Sequence, residues 1–292
     1  MTLCATSRGK LRKFEYLDIT SIKCRYICPS DTDDFIKENF LRIWSNVTQW
    51  PGGVLPADGA NVTVPGEWTV LMDIQPNVFG DWLIRGDVII PDTNLDVHIK
   101  ARNIWIKSGS IKAGTSSVPY PGKLTFEILG NKNDRSYVID PVIAGNKLFV
   151  VTGRLELYGP VPNTAWTKLT AMARRGDTTI KVISTAGWEV GAEISIAPSF
   201  NDASQHEKVT ITAISGTTVT FTPALQFTHY GASGATVTNA AGTLDTRAAV
   251  GYLTRNIRVI SGPDSGWGYH LIAYGYMDNT TLRTGSVILH GV

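Results

Sequence analysis

The sequence is short of cysteine, of net charge and of long apolar runs. Its 292 residues include 3 cysteines, Cys4, Cys24 and Cys28, all within the first 28 positions. So few, so placed, cannot staple a disulfide-dense mini-domain, and no paired CxxC spacing suggests structural zinc. The formal charge is only +2, and positions 1–28 carry +4, which leaves −2 on the rest of the chain. A body so close to neutral gives no electrostatic footprint for sequence-independent nucleic-acid binding. No apolar run approaches the roughly 18 residues needed to span a bilayer. The basic leader also lacks the apolar stretch of about 7–15 residues that marks a secretory signal.

What is present is apolar material with frequent punctuation. At 43% hydrophobic residues the chain can bury a large core, which argues against disorder. The 28 glycines and 14 prolines recur at short intervals rather than gathering in a linker. One helix is signalled near the start. Ser30 is suited to cap it, Asp31 and Asp33 suit its positive end, and Phe35, Ile36, Phe40 and Ile43 recur at helical spacing up to about Trp44.

Beyond Trp50-Pro51-Gly52-Gly53, strand patterns take over. Val62/Val64, Leu95/Val97/Ile99, Ile104/Ile106, Leu124/Phe126/Ile128 and Ile257/Val259 alternate with polar residues. Glycines punctuate them, among them Gly80, Gly86, Gly109, Gly130, Gly153 and Gly159. Such turns need positive φ or close backbone approach, which glycine allows. Ile84, Ile104 and Leu124 are evenly spaced, and Leu148 follows after a slightly longer gap. A repeat of roughly 20–25 residues built from short strands predicts stacked coils of a parallel β-solenoid, favoured over a flat β-sandwich.

Residues 167–244 change texture. Thr178–Ile183, Ala192–Ala197, Lys208–Ala213 and Thr217–Phe221 read as short strands around a Ser215-Gly216-Thr217 turn. They predict a small antiparallel sub-domain, a barrel in form, inserted into the solenoid. From Asp245 the first texture returns and runs to Val292, where the pattern stops inside a strand; the expectation is a longer parent protein. The organisation expected is thus a leader (1–29) without regular order, coils over 30–166, an insert over 167–244, and further coils over 245–292.

Two stretches are distinctive: WSNVTQWPGGVLPADGANVTVPGEWTVLMD at 44–73 and GSIKAGTSSVPYPGKLTFEILGN at 109–131. Together they resemble the extracellular domain named for its eight glycines. Members of that family include a hyaluronan-binding, cell-migration-inducing protein, a cell-surface hyaluronidase, fibrocystin and fibrocystin-L. The resemblance continues more loosely through 175–197, 228–231 and 247–262. It implies a right hand for the β-helix, an extracellular or cell-surface location, and a polysaccharide such as hyaluronan or a cell-surface protein as partner. The leader matches nothing in the family.

Several residues carry candidate chemistry. Asn46, Asn61 and Asn279 head sequons for N-glycosylation. Asp202, His206 and Glu207, in the loop SFNDASQHEK, have the donor types for a divalent cation such as calcium or for an acid–base pair; a solvated hairpin loop is the plainer alternative. At the edge of the insert, Tyr230 is suited to stack on a sugar ring and Arg247 to clamp a uronate carboxylate; an Asp245–Arg247 salt bridge is the alternative. In GPDSGWGYH, Trp267 and Tyr269 suggest a sugar platform beside Asp264 and His270, with Asp278 as a candidate second acid and Arg255 as a further basic residue. A structural turn is the alternative there. No GxSxG, HExxH, P-loop or dinucleotide-binding fingerprint occurs. The reading is therefore a non-catalytic glycan- or partner-binding ectodomain module. The alternatives are part of a hyaluronan-depolymerising glycosidase, with Asp264, His270 and Asp278 as its catalytic set, or a purely structural ectodomain piece.

Overall fold

Apolar residues at every second position, broken by glycine, favour strands. The computed structural model is accordingly all-β. It describes residues 3–5, 11–13, 41–92, 96–139, 142–231, 236–239, 242–263, 266–278 and 281–292. Among these there is no α-helix, only single 3-10 turns at Val47–Gln49, Pro51–Gly53 and Ala203–Gln205. The chain divides into two compact units, one running up to Pro160 and resuming over Asn256–Val292, the other Val161–Arg255.

Two expectations for the N-terminal region are corrected. Strands β1 (Leu3–Ala5) and β2 (Leu11–Lys13) pair antiparallel, so part of the leader has regular structure. Of the expected helix, residues 30–40 lie outside the described residues, and its last turn is strand β3 (Leu41–Ile43). Leu41, Ile43 and the polar Arg42 between them alternate with period two, and β3 lies parallel to a neighbouring strand, whose hydrogen bonds override the helical spacing.

The first unit then alternates between two parallel sheets. Strands β4 (Ala60–Val64), β6 (Phe79–Ile84), β8 (Val97–Ile106), β10 (Leu124–Ile128) and β13 (Leu148–Val151) join one sheet. Strands β3, β5 (Thr69–Leu71), β7 (Asp87–Ile90), β9 (Ser110–Ala113) and β14 (Arg154–Tyr158) join the other. A hairpin, β11 (Tyr137–Ile139) and β12 (Val142–Gly145), interrupts the alternation. Inward side chains stack in columns: Val62, Trp82, Ile104, Phe149 in the first sheet and Val70, Val88, Ile111, Leu155 in the second. All eight are buried. At the beginning of the winding, Trp44, Trp50, Phe79 and Trp82 form a chain of tilted and edge-on rings 4.6–5.5 Å apart. They are core, as the sequence allowed.

The second unit has β15 (Trp166–Lys168), β16 (Thr179–Lys181), β17 (Glu193–Ile196), β18 (Glu207–Ser215), β19 (Thr218–Thr222) and β22 (Ala249–Tyr252) in one antiparallel sheet, ordered β15-β22-β17-β18-β19-β16. A Leu169–Val182 bridge joins the two edges, closing the sheet into a barrel around Ile180, Ile194, Ile211, Phe221 and Val250. Strands β20 (Thr236–Asn239) and β21 (Gly242–Asp245) form a side hairpin. Ala249–Tyr252, expected among the later coils, belongs here instead: it pairs with β15 and β17, and its alternate residues Val250 and Tyr252 enter this core.

The chain re-enters the first unit as β23 (Ile257–Ser261), laid directly on β10, and β24 (His270–Ala273), laid on β13. A hairpin of β25 (Gly275–Asp278) and β26 (Thr281–Thr284) follows, and β27 (Ser286–His290) lies on β14.

The passage from one sheet to the other is where glycine is required. Ser110 N–H donates to the Gly86 carbonyl (3.1 Å), Arg154 N–H to Gly109 (2.9 Å) and Ser286 N–H to Gly153 (2.9 Å), so each corner rests on the backbone of the corner before it. A Cβ on Gly109 would fall on the Gly86 carbonyl oxygen, and one on Gly153 would fall on that of Gly109. None of the three has positive φ; they are glycine because backbones touch. Gly109→Ala should therefore cost about 3 kcal/mol or more. Gly251→Ala, where an added Cβ meets nothing within 4 Å, should leave stability equal or slightly raised. Urea unfolding of the two variants checks this, and equal losses would refute the backbone-contact account.

Candidate functional site

The cleft with the richest chemistry is on the second unit. Strand β15 comes first in the sheet order, beside the closing bridge, and its alternation turns Thr167 into the barrel and leaves Trp166 and Lys168 outside. Trp166 is 65% exposed, unusual for an indole in a regular strand. With Thr164, Ser184, Asp245 and Arg247 it lines a cleft of about 610 Å³. Arg247 grips Asp245 with both arms of its fork, Nε donating to Oδ1 (3.0 Å) and Nη2 to Oδ2 (2.8 Å). Lys168 Nζ donates to the Asp245 carbonyl (2.9 Å) and lies 3.2 Å from Oδ2.

Arg247's hydrogen bonds, assisted by Lys168 and outweighing partial desolvation, hold the Asp245 carboxyl well below the usual carboxylate range. Two cations thus surround one permanent anion, leaving one positive charge in the cleft. The side of Arg247 expected to clamp a uronate is already occupied by Asp245. Sequence inspection singled out Asp245 and Arg247 but passed over Trp166 and Lys168; the signal was an indole and an ammonium alternating around an inward threonine.

Tyr230 is partly exposed, with its backbone N–H donating to Ser199 Oγ (2.7 Å). Arg255 folds back on its own unit, Nη1 donating to the carbonyls of Tyr252 (3.0 Å) and Thr254 (2.8 Å).

Asp202, His206 and Glu207 are not brought together as a cation site, and no cluster of three potential ligands occurs among the described residues. Asp202 caps a 3-10 turn by accepting from Ser204 N (2.9 Å) and Oγ (2.6 Å). His206 is exposed. Glu207 alternates inward along β18 and meets His229, which is completely buried. His229 Nε2 is 2.8 Å from Glu207 Oε1 and Nδ1 is 2.8 Å from the Ala197 carbonyl. Both ring nitrogens therefore face oxygen atoms, one of a carboxylate and one of a backbone carbonyl. Glu207 also accepts from the backbone amides of Gln226 (2.7 Å) and Phe227 (2.9 Å). Burial raises its pKa, but those amides and the His229 ring outweigh burial and hold the net value below normal.

In the first unit, Trp267 Nε1 donates to Asn146 Oδ1 (3.1 Å), and its ring is 6.0 Å from that of the exposed His270. Tyr269 is turned toward the core, its hydroxyl donating to the Val259 carbonyl (3.2 Å), and burial raises its pKa. It therefore offers no sugar platform. The loop is held by a residue sequence inspection missed. Lys147, buried and at φ 58°, donates from Nζ to Ser261 Oγ (2.8 Å), Gly262 O (3.2 Å) and Trp267 O (3.1 Å). Asp264 lies outside the described residues, as does Asn279; Asp278 ends β25. Asn46 Oδ1 accepts from Thr48 Oγ1 (2.8 Å) and Asn61, exposed on β4, accepts from Asp81 N (2.8 Å). A second cavity, of about 390 Å³, lies between Asp81, Arg102 and Tyr137. Burial first, and the Asp81 charge second, raise the Tyr137 pKa.

The early coils and the stacked glycines coincide with a known signature: residues 49–170 match the G8 domain. The chain carries a G8 domain. A G8 domain-containing protein of Dictyostelium discoideum is 27% identical over 258 residues, 85% of this chain and 17% of that protein. Fibrocystin-L of Mus musculus is 32% identical over 233 residues, 77% of this chain and 5% of its own length. Human fibrocystin-L is 26% identical over 274 residues, 86% of this chain and 6% of its own. The chain thus spans a small fraction of these relatives. A tailspike of Acinetobacter baumannii bacteriophage AP22, in complex with A. baumannii capsular saccharide, overlaps 61% of this chain and 23% of its own at 10% identity and a TM-score of 0.26, too low to bear on fold or ligand. The matched G8 span ends at residue 170, so it takes in Trp166 and Lys168 but neither Asp245 nor Arg247.

The Glu207–His229 pair sets a pH dependence. A carboxyl whose folded-state pKa is depressed stabilises the fold above its unfolded value and loses that contribution as pH falls through the folded value. Stability should therefore drop below about pH 4, the range of an unperturbed glutamate. Glu207→Gln should flatten that drop and cost about 3 kcal/mol at pH 7. Urea melts at pH 3–7 test this; an unchanged pH profile would rule the pair out as its source.

Proposed function

We propose that this chain is an extracellular or cell-surface module of a longer ectodomain, a right-handed parallel β-helix that binds an acidic polysaccharide of the hyaluronan type. The observation that carries the reading is the second-unit cleft, where an exposed indole stands beside two cations sharing one carboxylate. The indole suits the C–H face of a sugar, and the surplus positive charge suits a uronate. The G8 domain, with fibrocystin-L among the relatives, supports the ectodomain setting. Sequons at Asn46 and Asn61 are compatible with a secretory route, Asn61 being on an exposed strand position.

The alternative, a hyaluronan-depolymerising activity through Asp264, His270 and Asp278, is separated by one assay. High-molecular-weight hyaluronan is incubated with the protein, with and without calcium, and both bound fraction and chain length are measured. Retention without shortening is expected. Shortening would replace the binding reading with the enzymatic one, and absence of both would leave a structural role. Arg247→Gln should weaken retention about tenfold and reduce its salt sensitivity; unaltered retention would place the acidic ligand elsewhere.

A further inference from the structure

Most glycines of the first unit have a visible reason, whereas Gly251 has none. It lies within β22 between the buried Val250 and Tyr252, facing outward. Its φ is not in the left-handed region, and a Cβ built on it meets nothing within 4 Å. A glycine in the middle of a strand costs stability and packs nothing. Its cross-strand partner on β15 is Trp166, and on β17 it is Ser195.

A tryptophan opposite a strand glycine often folds over it to cover the bare backbone. Here it does not: no indole atom lies within 4 Å of the Gly251 Cβ position, and Trp166 remains 65% exposed. The outward row therefore runs from an exposed indole across a bare glycine to a small serine. That leaves a trough two strand spacings wide, about 10 Å. Its walls are unlike each other. One is the exposed indole; the cleft that Trp166 also lines presents hydroxyls, with Thr164 Oγ1 2.7 Å from Ser184 Oγ, and the Lys168–Asp245–Arg247 charges.

We propose that Trp166 and Gly251 form a ring-stacking subsite for a pyranose with equatorial substituents, Trp166 supplying the stacking face and Gly251 the space. Such a sugar is itself two-faced, with C–H groups above and below and hydroxyls around the rim. The C–H face lies on the indole, the ring edge drops into the space over Gly251, and the rim reaches toward the Lys168–Asp245–Arg247 group, Lys168 being opposite Ala249 on the same pair of strands. A proline-rich peptide would also stack on an indole, but it has no rim of hydroxyls to use the polar side of the cleft. This subsite deepens the glycan reading and rests on it. It adds that recognition at this position is by ring face and not by charge, so a neutral sugar of the same geometry is accepted.

The test uses the whole chain, with chitohexaose as a neutral probe, a hyaluronan decasaccharide as an acidic one and a proline decapeptide as competitor, all by calorimetry. Both sugars should bind, the neutral one without salt dependence. Trp166→Ala should weaken both at least tenfold. Gly251→Val should do the same while raising the unfolding midpoint, because valine is the better strand residue and its Cβ meets nothing within 4 Å. That opposition of stability and binding is what a merely structural glycine would not produce. Hyaluronan binding that survives both substitutions would overturn the subsite and leave the glycan function standing. Loss of binding to every sugar by the unaltered protein would overturn both. Binding of the proline peptide at Trp166 in place of chitohexaose would overturn the sugar assignment.

Discussion

The first unit depends on one contact: the backbone of each corner lying on the backbone of the corner before it. Gly86, Gly109 and Gly153 form that column, each carbonyl accepting the N–H that opens the strand of the next coil. With no room for a Cβ, consecutive strands are held at ladder spacing on both sides of the corner. Every inward residue then lands on its predecessor, which is why columns such as Val70, Val88, Ile111 and Leu155 form. The hydrophobic stabilisation follows from this geometry, since an apolar residue stacked on another buries both.

The same regularity explains how a whole barrel, Val161–Arg255, is accommodated. The chain leaves the first unit after Pro160 and returns at Asn256, and Gly159 is adjacent to that return, its Cβ site being 2.6 Å from Asn256 Oδ1. Asn256 Nδ2 donates to the carbonyls of Tyr120 (2.7 Å) and Gly122 (2.6 Å) in the preceding coil. With both ends tied to one place, strand β23 resumes on β10 as though nothing had intervened. An insertion whose ends are already together adds little loop-closure cost to its host. The insert is then free to satisfy its own rules, a closed antiparallel sheet with its own core.

Much of this was legible in the sequence, though not its register. Alternation identified most strands, and the recurrence of apolar positions at near-regular intervals anticipated that short strands would stack in parallel sheets. The equal spacing of Ile84, Ile104 and Leu124 nevertheless misleads: Ile84 stacks on Ile106, and Leu124 on Val97. Strand β8, at 10 residues, is long enough to pair with β10 through its first half and β13 through its second. A slip of two positions preserves inside and outside, so alternation does not register it. The cleft was half legible. Asp245 and Arg247 stand two apart and announce their pair, whereas Trp166 and Gly251 are distant in the chain and meet only through the sheet. Lys147 is a similar case, its three acceptors lying far along the chain in the segment that follows the barrel.

By itself the sequence determined what is local: strand-forming alternation, the positions of turns, and a near-neutral body with no helix pattern beyond its opening segment. It also identified the G8 domain, because the spacing of tryptophan, proline and glycine over 44–73 is local too. Tertiary structure decided whatever depends on what lies opposite. Arg42 lies beside Leu41 and Ile43 in a strand and not a helix because β5 offers hydrogen bonds to it. Glu207 is a buried partner of His229 and not a surface ligand because β18 turns it inward. Gly109 is a contact between coils, and Gly251 is an empty place beside an indole. The residue type is the same in both; only the neighbour across the sheet, which no local pattern encodes, separates a structural glycine from one that leaves room.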